Sequence, residues 1–363
     1  MSTVRANAVL DSSGGNTATI NGMTPTGPSL QGFRNRIING DMRIDQRNAG
    51  ASVTSSQGYT LDRWTVNSGG GALFNVQQDT IVPSGFTNSL KITVGTADGS
   101  LAAGDYSQLY QVIEGFNVAD LGWGTANAQA VTLSFWVRAS VTGTYAGGLV
   151  NSAENRSYVF TYAVSAANTW EQKTVTIAGD TSGTWVTNNG KGVSVKWDLG
   201  SGSTYQATAG SWVASHSFAT SGAIKLSATA GATFYITGVQ LEAGSVATPF
   251  ERRDYGRELI MCERYYQALT DNMRISAMAF SSTVCPATWV FKTTMRAAPT
   301  TTATVGTSTI LVGGSNLTVT SIGAGVSSVY GYSMDVSVAS GATSGFGAEL
   351  RIVGGRVAAS AEL

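Results

Sequence analysis

The chain has 363 residues with 22 basic and 22 acidic side chains, one histidine and two cysteines. So sparse and balanced a charge creates no global field toward nucleic acid or an anionic membrane, and no run approaches the ~18 apolar residues of a membrane span. Cys262 and Cys285 make no disulfide framework and, with a single histidine, no structural zinc site.

The 44 glycines would suit a disordered chain, but 8 Trp, 12 Phe and 13 Tyr supply too much buriable surface for that. Composition therefore points to an all-β protein with many tight turns, and length to two or three domains. The start, MSTVRANAVLDSSGG, lacks the apolar core of a secretory signal. Within residues 1–33, AVLDSSGGNTATINGM reads as a hairpin around a Gly-Gly turn. It is too short to be stable alone and is expected to dock on a partner.

From residue 34 to residue 250 strand signals recur at sandwich-like spacing. AVTLSFWVRAS places Val131, Leu133, Phe135 and Val137 on one face, and Thr132, Ser134, Trp136 and Arg138 on the other. TWEQKTVTIAG sets Gln172, Thr174 and Thr176 against Val175 and Ile177. SLKITVG, SQLYQVIEG, GVSVKWDLG and ATFYITGVQLEAG add further short strands with no helix between them. Two packed antiparallel sheets, a jelly roll, are predicted.

A different composition follows. Eight of the charged side chains fall between Glu251 and Arg264. TPFE reads as a capping box with Thr248, Pro249 and Glu251, and Asp254 is a second candidate cap. Tyr255, Leu259, Cys262, Tyr266 and Leu269 recur at helical spacing, which predicts a linker helix over 251–270. Only two heptads are present, so a helix packed on its own domain competes with an axial stripe joining three copies. In the second case the intervening charges would flank the axis and select partners. Residues 271–363 alternate again with period 2, and their strands are so poor in charge that an assembly is expected to cover their edges.

FRNRIINGDMRIDQRNAG with YTLDRW, and ITGVQLEAGSVATPFERRDYGRELIMCERYYQ, together resemble bacteriophage tail fibre and other virion proteins with a carbohydrate-binding-module-like jelly roll. VLDSSGGNTATINGM is similar to the N-terminal segment of those proteins. The resemblance covers most of residues 5–267 and implies a structural virion protein released by host lysis. It implies a homotrimeric tail fibre attached through residues 1–33 to other virion proteins, with a host surface glycan as partner and residues 271–363 as the distal tip. A head fibre or capsid decoration protein, or a monomeric non-catalytic carbohydrate-binding module, shares these features. In the motifs themselves, ING before Asp41 suits a left-handed Asn or Gly, and Asp62 and Arg63 suit pairing or capping while Leu61 and Trp64 anchor a strand.

No motif carries catalysis, and no cofactor, metal or nucleic acid is expected. Asp105, Glu114, Glu154, Glu171 and Asp180 are candidates for a two-carboxylate hydrolase only by being acidic, and are expected as solvated strand ends. His216 has no triad partners nearby and reads as a surface residue. Calcium at Asp41, Asp62 or Glu242 has no supporting spacing. The better functional material is aromatic: Trp136 on the polar face of its strand, and Trp123, Trp185 and Trp212 among turn residues, are the glycan-binding candidates. Each could equally cover the edge of the core. Tyr255, Leu259, Cys262, Tyr266 and Leu269 are the trimer-interface candidates.

Overall fold

The computed structural model describes residues 33–270 and 272–363. The predicted N-terminal hairpin and attachment segment lie outside the described residues, apart from Phe33. The described residues are all-β with one α-helix, as predicted.

Two antiparallel sheets form the sandwich. Six strands run in the spatial order Val53–Ser55, Leu73–Asp79, Ser89–Thr96, Thr233–Ala243, Val131–Ala139, Glu171–Ile177. Seven lie opposite, in the order Trp212–Val213, Ser157–Val164, Gly143–Asn151, Lys191–Ser201, Tyr106–Glu114, Trp64–Ser68, Gln57–Leu61. Alternation decides the faces. Val131, Leu133, Phe135 and Val137 all point into the core, against Leu109, Val193, Val195 and Trp197 from the seven-stranded sheet. Of their alternates Trp136 and Arg138 are half-buried while Thr132 and Ser134 are buried, the Thr132 hydroxyl donating to the Gly244 carbonyl at 2.8 Å; on Glu171–Ile177, Gln172, Thr174 and Thr176 are exposed.

Residues 33–50 form a knot held to the sandwich largely by bonds between side chains and backbone. Asn39 takes the left-handed conformation (φ 56°), as the ING motif requires. Its side chain donates to the Ile44 and Asp62 carbonyls at 2.8 and 3.0 Å and accepts from the Ile44 amide at 2.9 Å. The Trp64 indole donates to the Asn39 carbonyl at 2.9 Å. Asp62 accepts from the Gln46 amide and side chain at 2.6 and 2.8 Å. Leu61 and Trp64 are fully buried, as expected of strand anchors.

The helix is shorter than the periodicity implied, Tyr255–Glu263, capped by Asp254, whose carboxylate accepts from the Arg257 amide at 2.9 Å. Thr248 does not cap it; its hydroxyl donates to Glu242 at 2.6 Å. Tyr266–Leu269 leaves the helical path as a strand, with Tyr266 paired to Ser360 and Leu269 to Val357. Backbone pairing across the chain outweighs a helical spacing that only two turns supported. Of the five-residue stripe, Cys262, Tyr266 and Leu269 are buried within this chain, and Leu259 packs on a small core of Ile38, Ile44, Cys262 and Tyr265. Tyr255 alone is largely exposed. The stripe is thus spent on the chain's own docking, and no continuous axial seam remains.

The charges between Glu251 and Arg264 divide: Arg252, Asp254 and Arg257 lie on exposed faces as expected, whereas Arg253, Glu258 and Glu263 are buried inside the chain. Arg253 is buried against Glu258 at 3.3 Å and Glu251 at 3.2 Å, and donates to the Ile37 and Asn35 carbonyls. Arg264 clasps Glu114 at 2.6 and 2.9 Å. Buried Glu263 pairs with Lys292 at 2.8 Å.

Beyond the helix, Tyr266–Leu269, Arg356–Ser360 and Thr300–Thr304 form a small sheet. A closed barrel is built from Arg274–Met278, Val284–Val290, Gly331–Val338, Ser315–Ser327, Thr309–Val312 and Gly347–Arg351. Closure removes the edges that the uncharged strands would otherwise expose. Its core includes Trp289, Met334, Val336, Leu350 and Ile352. Contacts join this unit to the sandwich directly. Arg63, fully buried, pairs with Glu362 and lies 3.6 Å over the Tyr265 ring. Arg47 reaches Glu362 at 2.8 Å, and the Tyr59 hydroxyl donates to the Leu363 carbonyl at 2.7 Å.

A polar, aromatic-walled cleft on the seven-stranded sheet

The outward face of the seven-stranded sheet holds a cleft of about 300 Å³. Its floor comes from three adjacent strands. Tyr106, Gln108 and Tyr110 alternate along one of them, while Leu109 and Ile113 between and beyond them enter the core. Ser194 and Lys196 alternate along the next, with Val193, Val195 and Trp197 turned inward. Asn67 is contributed by the third. Register places Lys196 directly opposite Tyr110 on one side and Gly148 on the other.

Gly148 explains the wall. The segment from Ser203 to Ala219 folds back over the sheet, and a Cβ at Gly148 would lie 3.0 Å from the Phe218 main chain. The bare glycine lets the segment approach closely. The Tyr205 carbonyl accepts from the Phe218 and Ala219 amides at 3.0 and 3.1 Å, and the Ser217 amide donates to the Ser157 hydroxyl at 3.0 Å. So fixed, Tyr205, His216 and Phe218 stand beside the floor residues. Tyr205 makes an edge contact with Tyr106 at 5.1 Å and with His216 at 5.4 Å.

The charged groups form a chain. Lys196 Nζ lies 2.9 Å from His216 Nε2, His216 Nδ1 lies 3.4 Å from Glu154, and Lys191 pairs with Glu154 at 2.7 Å. Burial, and then the Lys196 charge, depress His216 to about 4, so the imidazole is neutral at pH 7. With Nε2 accepting from Lys196, the remaining ring proton faces Glu154. Burial pulls Lys196 down to about 8. At Glu154 burial acts upward, but the Lys191 hydrogen bond and the surrounding cations outweigh it and hold the carboxyl below its usual range. The Gln108 side-chain amide oxygen and the Ser194 hydroxyl are buried in this floor without a hydrogen-bond partner. Buried polar atoms cost free energy when unmatched, so a ligand's hydroxyls are the natural complement.

Of the side chains selected from sequence, none of the four tryptophans lines the cleft. Trp123, Trp185 and Trp212 come together elsewhere, with ring centroids 4.7 to 5.5 Å apart and Tyr158 5.5 Å from Trp212. Their indole N–H groups are already committed to the Gln129, Ser182 and Ala178 carbonyls. Trp136 lies on the outer face of the opposite sheet, next to the bare Gly238.

Two acids expected as solvated strand ends are instead deeply buried. Asp180 receives Arg156 in a fork at 2.7 Å, and Glu114 receives Arg264 and the Tyr265 hydroxyl. His216 is not an ordinary surface residue but part of the cleft wall. The signal for this site was present in YSQLYQVIE and KGVSVKWDL, where Tyr, Gln, Ser and Lys take every second position opposite apolar residues. Among the described residues no group of three or more His, Cys, Asp and Glu is placed to hold a metal ion. Asp41 is paired with Arg43 at 2.5 Å, and Asp62 and Glu242 are engaged in hydrogen bonds as described.

The sequence matches no family profile and no curated protein. Similar solved structures are carbohydrate-binding modules and a phage tailspike domain. The enzymatically active domain of bacteriophage CBA120 tailspike protein 4 aligns at 14% identity and TM-score 0.33, over 58% of this chain and 21% of that one. A family 11 carbohydrate-binding module from Clostridium thermocellum, solved with a β-1,3-1,4-mixed-linked tetrasaccharide, aligns at 11% identity and TM-score 0.29, over 55% of this chain and all of the module. The module TmCBM61, solved with β-1,4-galactotriose, aligns at 11% identity and TM-score 0.29, over 58% of this chain and 99% of that one. Likeness at this level says nothing about a ligand for this chain, which rests on the cleft's own chemistry.

Proposed function

We propose that the sandwich binds a glycan in the Tyr110 cleft, and that the chain is a homotrimeric bacteriophage tail fibre component that presents this cleft to the host surface. The observation that carries the glycan reading is the pairing of aromatic walls with partnerless polar atoms. Tyr106, Tyr110 and Tyr205 offer ring faces for sugar C–H groups, and Gln108, Ser194, Lys196 and Asn67 offer hydrogen bonds to hydroxyls. The virion reading rests on the sequence motifs quoted above. Binding is proposed without cleavage, because Glu154 is the one carboxylate side chain among the residues lining the cleft, and two-carboxylate hydrolysis needs a second.

The trimer is supported by apolar side chains that the barrel leaves exposed, Phe280, Val290, Val326 and Tyr330, rather than by the helix. Isothermal titration against a panel of polysaccharides tests the site: Tyr110→Ala should lose most of the affinity that the wild-type chain shows. Equal affinity in the variant would remove the cleft from the reading. Native mass spectrometry tests the trimer, and a stable monomer at micromolar concentration would reject it.

A further inference from the structure

Lys196 is 3% exposed at the floor of the cleft. Its ammonium meets neutral His216 at 2.9 Å and the faces of Phe218 and Tyr110, at 4.9 and 5.6 Å. Among the described residues no carboxylate lies within ion-pairing distance of it; Glu154 is engaged by Lys191 and reaches Lys196 only through the His216 ring. A buried cation without an anion is costly, and proteins ordinarily pair it. On the same strand face, two residues away, the Ser194 hydroxyl is also without a partner, and so is the Gln108 side-chain amide oxygen on the neighbouring strand.

We propose that the cleft is selective for acidic glycans, with a sugar carboxylate, as in a hexuronic acid, seated on Lys196. The proposal rests on the glycan reading above and narrows it to a substrate class. The carboxylate would supply the missing counter-charge to Lys196 and accept from the Ser194 hydroxyl, while Gln108 accepts from a neighbouring sugar hydroxyl. A charge-assisted hydrogen bond in a partly desolvated cleft is roughly twice as strong as a neutral one, which makes the acid group the discriminating element. A neutral glycan leaves Lys196 as unpaired as it is in the free protein.

Polygalacturonate, alginate and hyaluronan, each beside its own carboxyl-reduced counterpart, provide the test by titration calorimetry on the full chain. The expected result is a preference of about tenfold or more for at least one acidic polymer over its reduced form. Lys196→Gln should bring that ratio to about one. Because this variant could misfold, the wild-type chain supplies an independent reading. Its preference should shrink several-fold between about 0.05 and about 0.5 M salt. It should also shrink as pH rises through about 8, where Lys196 loses its proton. Lys191, Glu154, His216, Tyr106, Tyr110, Tyr205 and the main chain of Leu363 face the same space; among them Lys191 and Glu154 pair with each other, Leu363 accepts from the Tyr59 hydroxyl, and His216 is neutral throughout that range. Equal binding of acidic and reduced polymers overturns the selectivity while leaving the glycan site intact. Binding of neither overturns both.

Discussion

Replacing Arg253 with Met tests why a nearly uncharged chain concentrates its ions between Glu251 and Arg264. The Arg253 side chain is 3% exposed. Its guanidinium joins helix and knot, bonding the Ile37 and Asn35 carbonyls while balancing Glu258 and Glu251. Glu258 in turn accepts from the Asn39 amide. Methionine retains much of the aliphatic stem, so packing changes little and the charge is the variable. Removing one partner of a buried pair costs about 3–5 kcal/mol, because the remaining carboxylate stays desolvated without a counter-ion. Denaturant unfolding of the full chain should show that loss as a lowered midpoint with the slope unchanged. Arg252→Met, at an exposed side chain over Phe86, should cost about 0–1 kcal/mol. Adding Glu258→Met to Arg253→Met should recover part of the loss by deleting the stranded charge. If Arg253→Met unfolds within about 1 kcal/mol of wild type, the buried ions do not hold the helix to the knot, and the reasoning fails.

Trp212→Ala, at a half-buried side chain, should destabilise the sandwich by about 1–3 kcal/mol by opening the Trp123–Trp185–Trp212 cluster, yet leave glycan affinity unchanged; loss of affinity in a folded variant would return this cluster to the binding site. Gly148→Leu should push the Tyr205–Phe218 wall off the sheet and weaken binding, seen by calorimetry, and unchanged affinity would show that the wall's closeness is irrelevant. Asp198 is held up at about 7 by burial, so the folded chain takes up a proton that the unfolded chain, with an ordinary carboxyl near 3.8, does not. Its contribution to stability therefore falls as pH rises from about 4 to about 7, and Asp198→Asn should flatten that part of the melting-temperature profile. Parallel profiles for the two proteins would contradict this.

Local alternation was enough to read the all-β class, the faces of Val131–Ala139 and Glu171–Ile177, the left-handed turn at Asn39 and the Asp254 cap. Each depends on neighbours within a few residues, or on a strand knowing only which side is apolar. The Tyr110 cleft was partly written in YSQLYQVIE and KGVSVKWDL, but a strand's polar face becomes a site only when strands far apart in sequence are set side by side. Tyr110 and Lys196 are opposite because of register, and His216 joins them because Gly148 admits the returning segment. The same non-local pairing ended the helix at Glu263 and drew Tyr266–Leu269 into a sheet with Arg356–Ser360. It also turned the charged segment inward, since a charge's cost or benefit depends on which partner the fold delivers: Glu114 to Arg264, Glu258 to Arg253, Glu362 to Arg63. Those partners are separated from one another by 5 to 299 positions, and the long separations are the ones that only tertiary structure could supply.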